Sequence, residues 1–189
     1  GLSAAQIRLI YNGIDVDRFV VPAHAVQRDR YSLKRSLGLR EGPVVGIIGR
    51  LSDVKGHIYL LQAMPAVLRQ FPQAQLLVVG EGPMRARLVR LARSLGISAA
   101  CVFIPRIHDP LKALPVIDIF AMPSLKEGLG LSLMEAMAAG LPCVGSDIGG
   151  IRNLIKHGEN GLLVPVEDSA GLAAAVISLL DDEKKARQL

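Results

Sequence analysis

The chain has 189 residues, half of them hydrophobic, 21% charged and 4% aromatic, with a formal net charge of +5. That length suffices for one domain with a real core. No apolar run approaches the roughly 18 residues of a membrane span, the first residues show no signal-peptide pattern, and no aromatics interleave with the basic residues as a nucleic-acid surface would need.

Short apolar runs alternate with stretches of helical period. Ile7–Tyr11 reads as a first strand, and Val20–Asp29, the least patterned part, as a loop. Val44–Gly49 is the next strand. Ile58–Gln70 is a helix whose Leu61, Met64, Val67 and Leu68 make one stripe, ended by Phe71-Pro72. After the strand Leu76–Gly80 comes the helix Met84–Leu95, with Pro83 suited to its first turn and Gly96 as C-cap. Strands are expected at Cys101–Ile104, Ile117–Met122, Pro142–Gly145 and Gly161–Val164. Helices are expected over Leu131–Ala139 and Ala170–Leu180, the latter capped by Asp168 or Ser169. Several strands are apolar throughout, as in a parallel sheet covered on both faces. The alternation implies a doubly wound α/β layer. Both ends look cut: Gly1–Gln6 has no start signal, and the charged helical stretch Asp181–Leu189 has no terminator. Residues 1–189 are therefore expected to be one domain excised from a longer chain.

Cys101 and Cys143 sit in apolar runs and read as buried thiols of a reducing compartment. Arg85, Arg87, Arg90 and Arg93 lie on one expected helix. They read as a solvated face or, alternatively, as a surface for anionic lipid or an acidic partner. No histidine pair has metal-ligand spacing, and Asp53, Asp109 and Asp118 show no metal pattern, so no metal is expected.

Open α/β sheets bind ligands at the carboxyl ends of their strands, and four loops lie there. In Gly49-Arg-Leu-Ser-Asp-Val-Lys-Gly56, Arg50 and Lys55 can clamp a diphosphate or simply belong to a solvated loop. In the stretch from Pro123 to Pro142, Gly128 and Gly130 allow close backbone approach. The N–H groups near Gly130 and Leu131 can face an anion. Glu127 in the turn and Glu135 on the helix can accept hydrogen bonds from hydroxyls. Eight helical residues span about 12 Å, so the two acids are expected to reach different parts of one ligand. Glu127 could equally be a surface acid. Glu135, among apolar neighbours, needs a partner. Gly80-Glu-Gly-Pro83 is an incomplete dinucleotide fingerprint and reads as a turn that can still line a site. Ser146-Asp-Ile-Gly-Gly150 either touches a phosphate or turns the chain.

With these residues the chain resembles the donor-binding, C-terminal domain of retaining glycosyltransferases of the group 1 family (family 4). The resemblance runs nearly end to end. It covers Tyr11-Asn-Gly-Ile-Asp-Val-Asp-Arg-Phe19, Gly49-Arg-Leu-Ser with Lys55-Gly56, Val79-Gly-Glu-Gly-Pro83, Ala121-Met-Pro-Ser124 and Glu127-Gly-Leu-Gly130. Glu135-Ala-Met-Ala-Ala-Gly-Leu-Pro142, Gly149-Gly150 and Gly161-Leu-Leu-Val-Pro165 follow in family order. It implies a Rossmann-like doubly wound parallel sheet, the C-terminal half of a GT-B fold. It implies that Arg50, Lys55 and Glu127 are catalytic, the first two holding the donor's diphosphate and Glu127 the transferred sugar. Glu135 would bind the ribose. Leu129, Gly130 and Leu131 would support sugar and phosphate, and Arg106 and Ile107 would face the base. Gly49 and Gly82 would line the donor site. The full-length enzyme would move a hexose from a UDP- or GDP-sugar to a glycan, lipid or other hydroxyl acceptor. It would use no cofactor and no metal, and it would lie in the cytoplasm or at the inner membrane face. The acceptor site would belong to a missing N-terminal domain, so this piece alone would bind donor and transfer little. Phe103-Ile-Pro105, Leu129 and Asn153 depart from the family pattern, which puts the base loop and the sugar pocket in question. The competing readings are a nucleotide-binding module without transferase activity, a GT-B-type nucleotide-sugar epimerase or phosphorylase, and, more distantly, a nicotinamide dehydrogenase.

Overall fold

The computed structural model describes residues 13–19, 23–105, 107 and 109–189. One sheet contains β1 (Val44–Ile48), β2 (Gln75–Val79), β3 (Cys101–Ile104), β4 (Ile119–Met122), β5 (Cys143–Ser146) and β6 (Leu162–Val164). All pairs are parallel, in the order β3-β2-β1-β4-β5-β6. The helices are α1 (Ala23–Ser36), α2 (His57–Gln70), α3 (Arg85–Ser94), α4 (Leu131–Ala138), α5 (Gly149–Arg152), α6 (Ser169–Asp181) and α7 (Glu183–Gln188). The order reverses between β1 and β4. The loops leaving those two strands therefore diverge to opposite faces and open a crevice at their carboxyl ends.

Side-chain alternation gives each face its own core. Val45, Ile47, Leu76, Val78, Ile119 and Ala121 pack with α2, α3 and α6. Val44, Leu77, Val79, Phe120 and Met122 pack on the other side with α4 and α5. Strands buried on both sides need apolar residues at every position, which is why their sequence runs are nearly continuous. The expected strands match within two residues. Ile117–Met122 is shortened to Ile119–Met122 because Leu114–Val116 winds into a 3-10 turn. The expected strand Ile7–Tyr11 lies outside the described residues.

Two expectations are corrected. The expected loop Val20–Asp29 is helical from Ala23, in α1. This helix lacks a continuous apolar stripe and is fastened by polar contacts instead. The Arg30 guanidinium donates to Asp118 at 2.6 Å and to the Val116 carbonyl at 3.1 Å, and the Lys34 ammonium donates to the Gly42 carbonyl at 2.7 Å. Pro83 precedes α3 rather than opening it. The Met84 N–H is spent on the Leu51 carbonyl (3.1 Å), which holds the chain in a turn until Arg85. The two cysteines are free thiols, Cys143 buried and Cys101 half-buried, and burial pushes both up to about 12.

Buried polar groups divide into satisfied and unsatisfied ones. Gln75 exchanges two hydrogen bonds with the Arg40 main chain, at 2.8 and 2.9 Å. The second oxygen of Asp118 accepts the Val44 N–H at 2.8 Å, so one carboxylate joins α1 to the start of β1. His57 is 3% exposed, and among the described residues neither ring nitrogen meets a partner and the buried Ser124 hydroxyl is also unpartnered. Burial, with the Lys55 ammonium adding, lowers the His57 imidazole to about 4.

Two outcomes follow. Asp118→Ala leaves the Val44 N–H without its acceptor and Arg30 with the Val116 carbonyl alone, and should cost about 2 kcal/mol in urea unfolding. The second concerns acid. The unfolded imidazole takes up its proton near 6.5 and the folded one near 4. Between those values the unfolded chain binds more protons, so this contribution is full above pH 6.5 and is lost as pH falls toward 4. His57→Leu should therefore lose roughly 2–3 kcal/mol less stability than wild type between pH 7 and 4.5 in urea melts.

Candidate functional site

A cleft of about 600 Å³ opens where β1 and β2 reach their carboxyl ends. Its lining includes Gly49, Arg50, Gly82 and Ile107, all expected from sequence, and also Glu81, within the turn Gly80–Pro83 expected to be able to line a site. Arg106 lies outside the described residues.

The cleft wall is main chain laid on main chain. A Cβ on Gly80 would stand 1.9 Å from the Gly49 carbonyl oxygen, and one on Gly82 would stand 2.3 Å from that of Leu51. The Leu51 N–H donates to the Glu81 carbonyl at 2.8 Å. Only glycine permits this approach. It explains a fingerprint that is incomplete as a dinucleotide motif: the two glycines let the loop after β2 lie against the loop after β1.

The same device joins the loops after β1 and β4. Gly56 is left-handed (φ 67°), and a Cβ there would stand 1.8 Å from the Pro123 carbonyl oxygen. Beside it the Leu125 N–H donates to the Val54 carbonyl at 2.8 Å. This contact carries Lys55 to Glu127, whose Oε2 accepts from Nζ at 2.5 Å. The Lys55 side chain is 26% exposed and that of Glu127 11%. The two cations of the loop are thus unlike. Lys55 is committed to a shielded partner, whereas Arg50 is exposed and forms no ion pair among the described residues. Gly150 completes the packing: a Cβ there would stand 2.1 Å from the Glu127 carbonyl oxygen. The Gly149-Gly150 step turns the chain closely past the Glu127 peptide.

Gly130, also left-handed (φ 67°), precedes α4 as its N-cap, and among the described residues no side chain caps that helix. Its first N–H groups, starting with the exposed Leu131, carry the partial positive charge of a helix start. Leu129 is half-buried just before them. Glu135 is half-buried one turn along α4. Burial pushes its carboxyl above the ordinary range, the Arg18 guanidinium opposes that, and Asp109 adds to it. Arg18 and Asp109 pair with one another at 3.1 Å. Sequence reading singled out neither of them as a site neighbour. They stand 91 residues apart, and residues 16–19 pack on α4, which places Arg18 near Glu135.

Among the described residues no group of three or more His, Cys, Asp or Glu is placed to hold a metal. No described helix is long and apolar enough to cross a membrane. Arg85, Arg87, Arg90 and Arg93 of α3 are all exposed.

Residues 29–189 match the family described as glycosyl transferases group 1. The chain is 34% identical over 185 residues to N-acetyl-alpha-D-glucosaminyl L-malate synthase of Bacillus anthracis, covering 97% of this chain and 47% of that protein. It is 36% identical over 196 residues to a GDP-mannose-dependent alpha-(1-6)-phosphatidylinositol monomannoside mannosyltransferase of Mycolicibacterium smegmatis, covering 97% and 49%. The crystal structure of HepE from Anabaena in complex with UDP-glucose is similar with a TM-score of 0.88 at 28% identity, covering 100% of this chain and 51% of that one. The chain thus spans about half the length of the curated relatives it matches. Motif order, sheet order and structural likeness agree: this chain belongs to the glycosyl transferases group 1 family and has the Rossmann-like α/β architecture of a GT-B half.

Proposed function

We propose that the cleft and the loops at the β1/β4 reversal bind the nucleotide-sugar donor of a retaining hexosyltransferase. In this reading residues 1–189 are the donor-binding domain of a longer enzyme, and an N-terminal domain supplies the acceptor site. The observation that carries the reading is the convergence, at one end of the sheet, of Arg50, the Lys55–Glu127 pair and the uncapped start of α4. These groups match the separate parts of such a donor.

Arg50, Lys55 and the N–H groups from Leu129 to Leu131 take the diphosphate. Positive charge fixed in advance at that point stabilises the charge that develops on the leaving group. Glu127 accepts from hydroxyls of the transferred hexose and Glu135 from those of the ribose. Gly49, Gly82 and Ile107, with Arg106, border the nucleoside. The relative named for GDP-mannose and the neighbour that holds UDP-glucose support a UDP- or GDP-linked hexose as donor. A phosphatidylinositol-type acceptor, as in the name of the mycobacterial relative, would bring the exposed arginines of α3 toward an anionic membrane face from the cytoplasmic side.

The test is calorimetric titration of the chain with UDP, GDP, ADP and their glucose, mannose and N-acetylglucosamine conjugates. One conjugate should bind selectively. Arg50→Ala and Glu135→Ala should each weaken it by about tenfold to a hundredfold, the scale of one hydrogen bond to a charged group. Conjugates that bind no better than the bare diphosphates would favour a nucleotide module without transferase activity. Unchanged affinity in both variants would remove the assigned site.

A further inference from the structure

Lys55 and Glu127 lie 72 residues apart in sequence and 2.5 Å apart in space. Their side chains are 26% and 11% exposed, so water compensates the carboxylate poorly. Paired charges in such a place support one another, whereas a single one left behind is costly. Under the donor reading these two groups serve different parts of the ligand, the ammonium the diphosphate and the carboxylate the sugar. Neither can serve the ligand and its partner at full strength.

We infer that the Lys55–Glu127 pair is a placeholder that makes the site discriminate an intact nucleotide sugar from the bare nucleoside diphosphate. This inference rests on the donor-site reading. A diphosphate that draws Lys55 toward itself strips Glu127 of its partner. A nucleotide sugar replaces the lost donor with its own hydroxyls, which a carboxylate accepts. A bare diphosphate has no hydroxyl at that position and meets the ion pair only as a competitor. Arg50, with no ion pair among the described residues, attracts both ligands alike. Discrimination therefore falls to Lys55 and Glu127. The Gly56–Pro123 main-chain contact sets the two loops that carry them side by side. After transfer the remaining diphosphate competes with the re-forming pair, which favours its release.

The test is a two-by-two cycle of wild type, Glu127→Gln, Lys55→Met and the double variant. Each is titrated calorimetrically with UDP, UDP-glucose, GDP and GDP-mannose, after thermal unfolding confirms that each is folded. Glu127→Gln should bind the bare diphosphate about tenfold more tightly and the matching sugar conjugate about tenfold more weakly. The gain for the bare diphosphate should vanish in the Lys55→Met background. An unchanged diphosphate affinity in Glu127→Gln overturns the inference. So does an equal gain without Lys55, since that would be plain repulsion between Glu127 and the phosphates. If wild type binds none of the four probes, the donor reading fails and the inference goes with it. If wild type binds and the cycle shows no coupling, the inference alone fails.

Discussion

The contact on which the site depends is between two backbones. Gly56 meets the Pro123 carbonyl so closely that any side chain on Gly56 would enter it. The two residues follow β1 and β4, the strands between which the sheet order reverses. A reversal by itself only opens a crevice. Pinning one lip to the other turns the crevice into a site of fixed dimensions, with Lys55 held against Glu127. Gly56 adjoins Lys55, so the backbone contact and the ion pair join the same two loops.

Glycine repeats the device around the crevice. Gly80 and Gly82 bring the loop after β2 against the loop after β1, and Gly150 brings the start of α5 against the Glu127 peptide. Three walls are thereby built from main chain, which leaves side chains free to face the cleft. A wall of packed backbones also moves little, so charges mounted on it keep their spacing. Such preorganisation is what electrostatic stabilisation of a developing charge requires. The Arg18–Asp109 pair stands outside this frame. With side chains 53% and 38% exposed it is held by solvent-screened attraction, and it biases Glu135 without fixing it.

Much of this was legible in the sequence for a physical reason. A strand covered on both faces is apolar at nearly every position, so Val44–Ile48 and the run 76–79 of the second strand announce themselves. Helices with an apolar stripe, α2 and α3, do so as well. Helix α1 did not, because Arg30 and Lys34 fasten it through polar bonds to residues elsewhere in the chain, and hydropathy patterns carry no record of them. Arg50, Glu127 and Glu135 could be picked out by residue type beside glycine-rich turns. Their different states could not. Exposure separates Arg50 from Lys55, and the partner of Lys55 lies 72 residues away. The glycines of Gly80-Glu-Gly82 were visible as a motif fragment, but their purpose rests on carbonyl oxygens of another loop.

His57 shows how burial also sets what the site does not contain. It follows Lys55 by two residues and, if solvated, would titrate near 6.5 and bring a variable cation beside Lys55. Burial at the start of α2 keeps the imidazole neutral until about pH 4. The cost is a ring whose nitrogens meet no partner among the described residues. In return, among the described residues, His57 adds no pH-dependent charge to the field that Arg50, Lys55, Glu127 and the start of α4 set at the lip of the crevice. In the donor-site reading proposed above, telling one anionic ligand from another by a single ion pair depends on that constancy. An added positive charge would strengthen diphosphate binding with or without the sugar and blur the distinction.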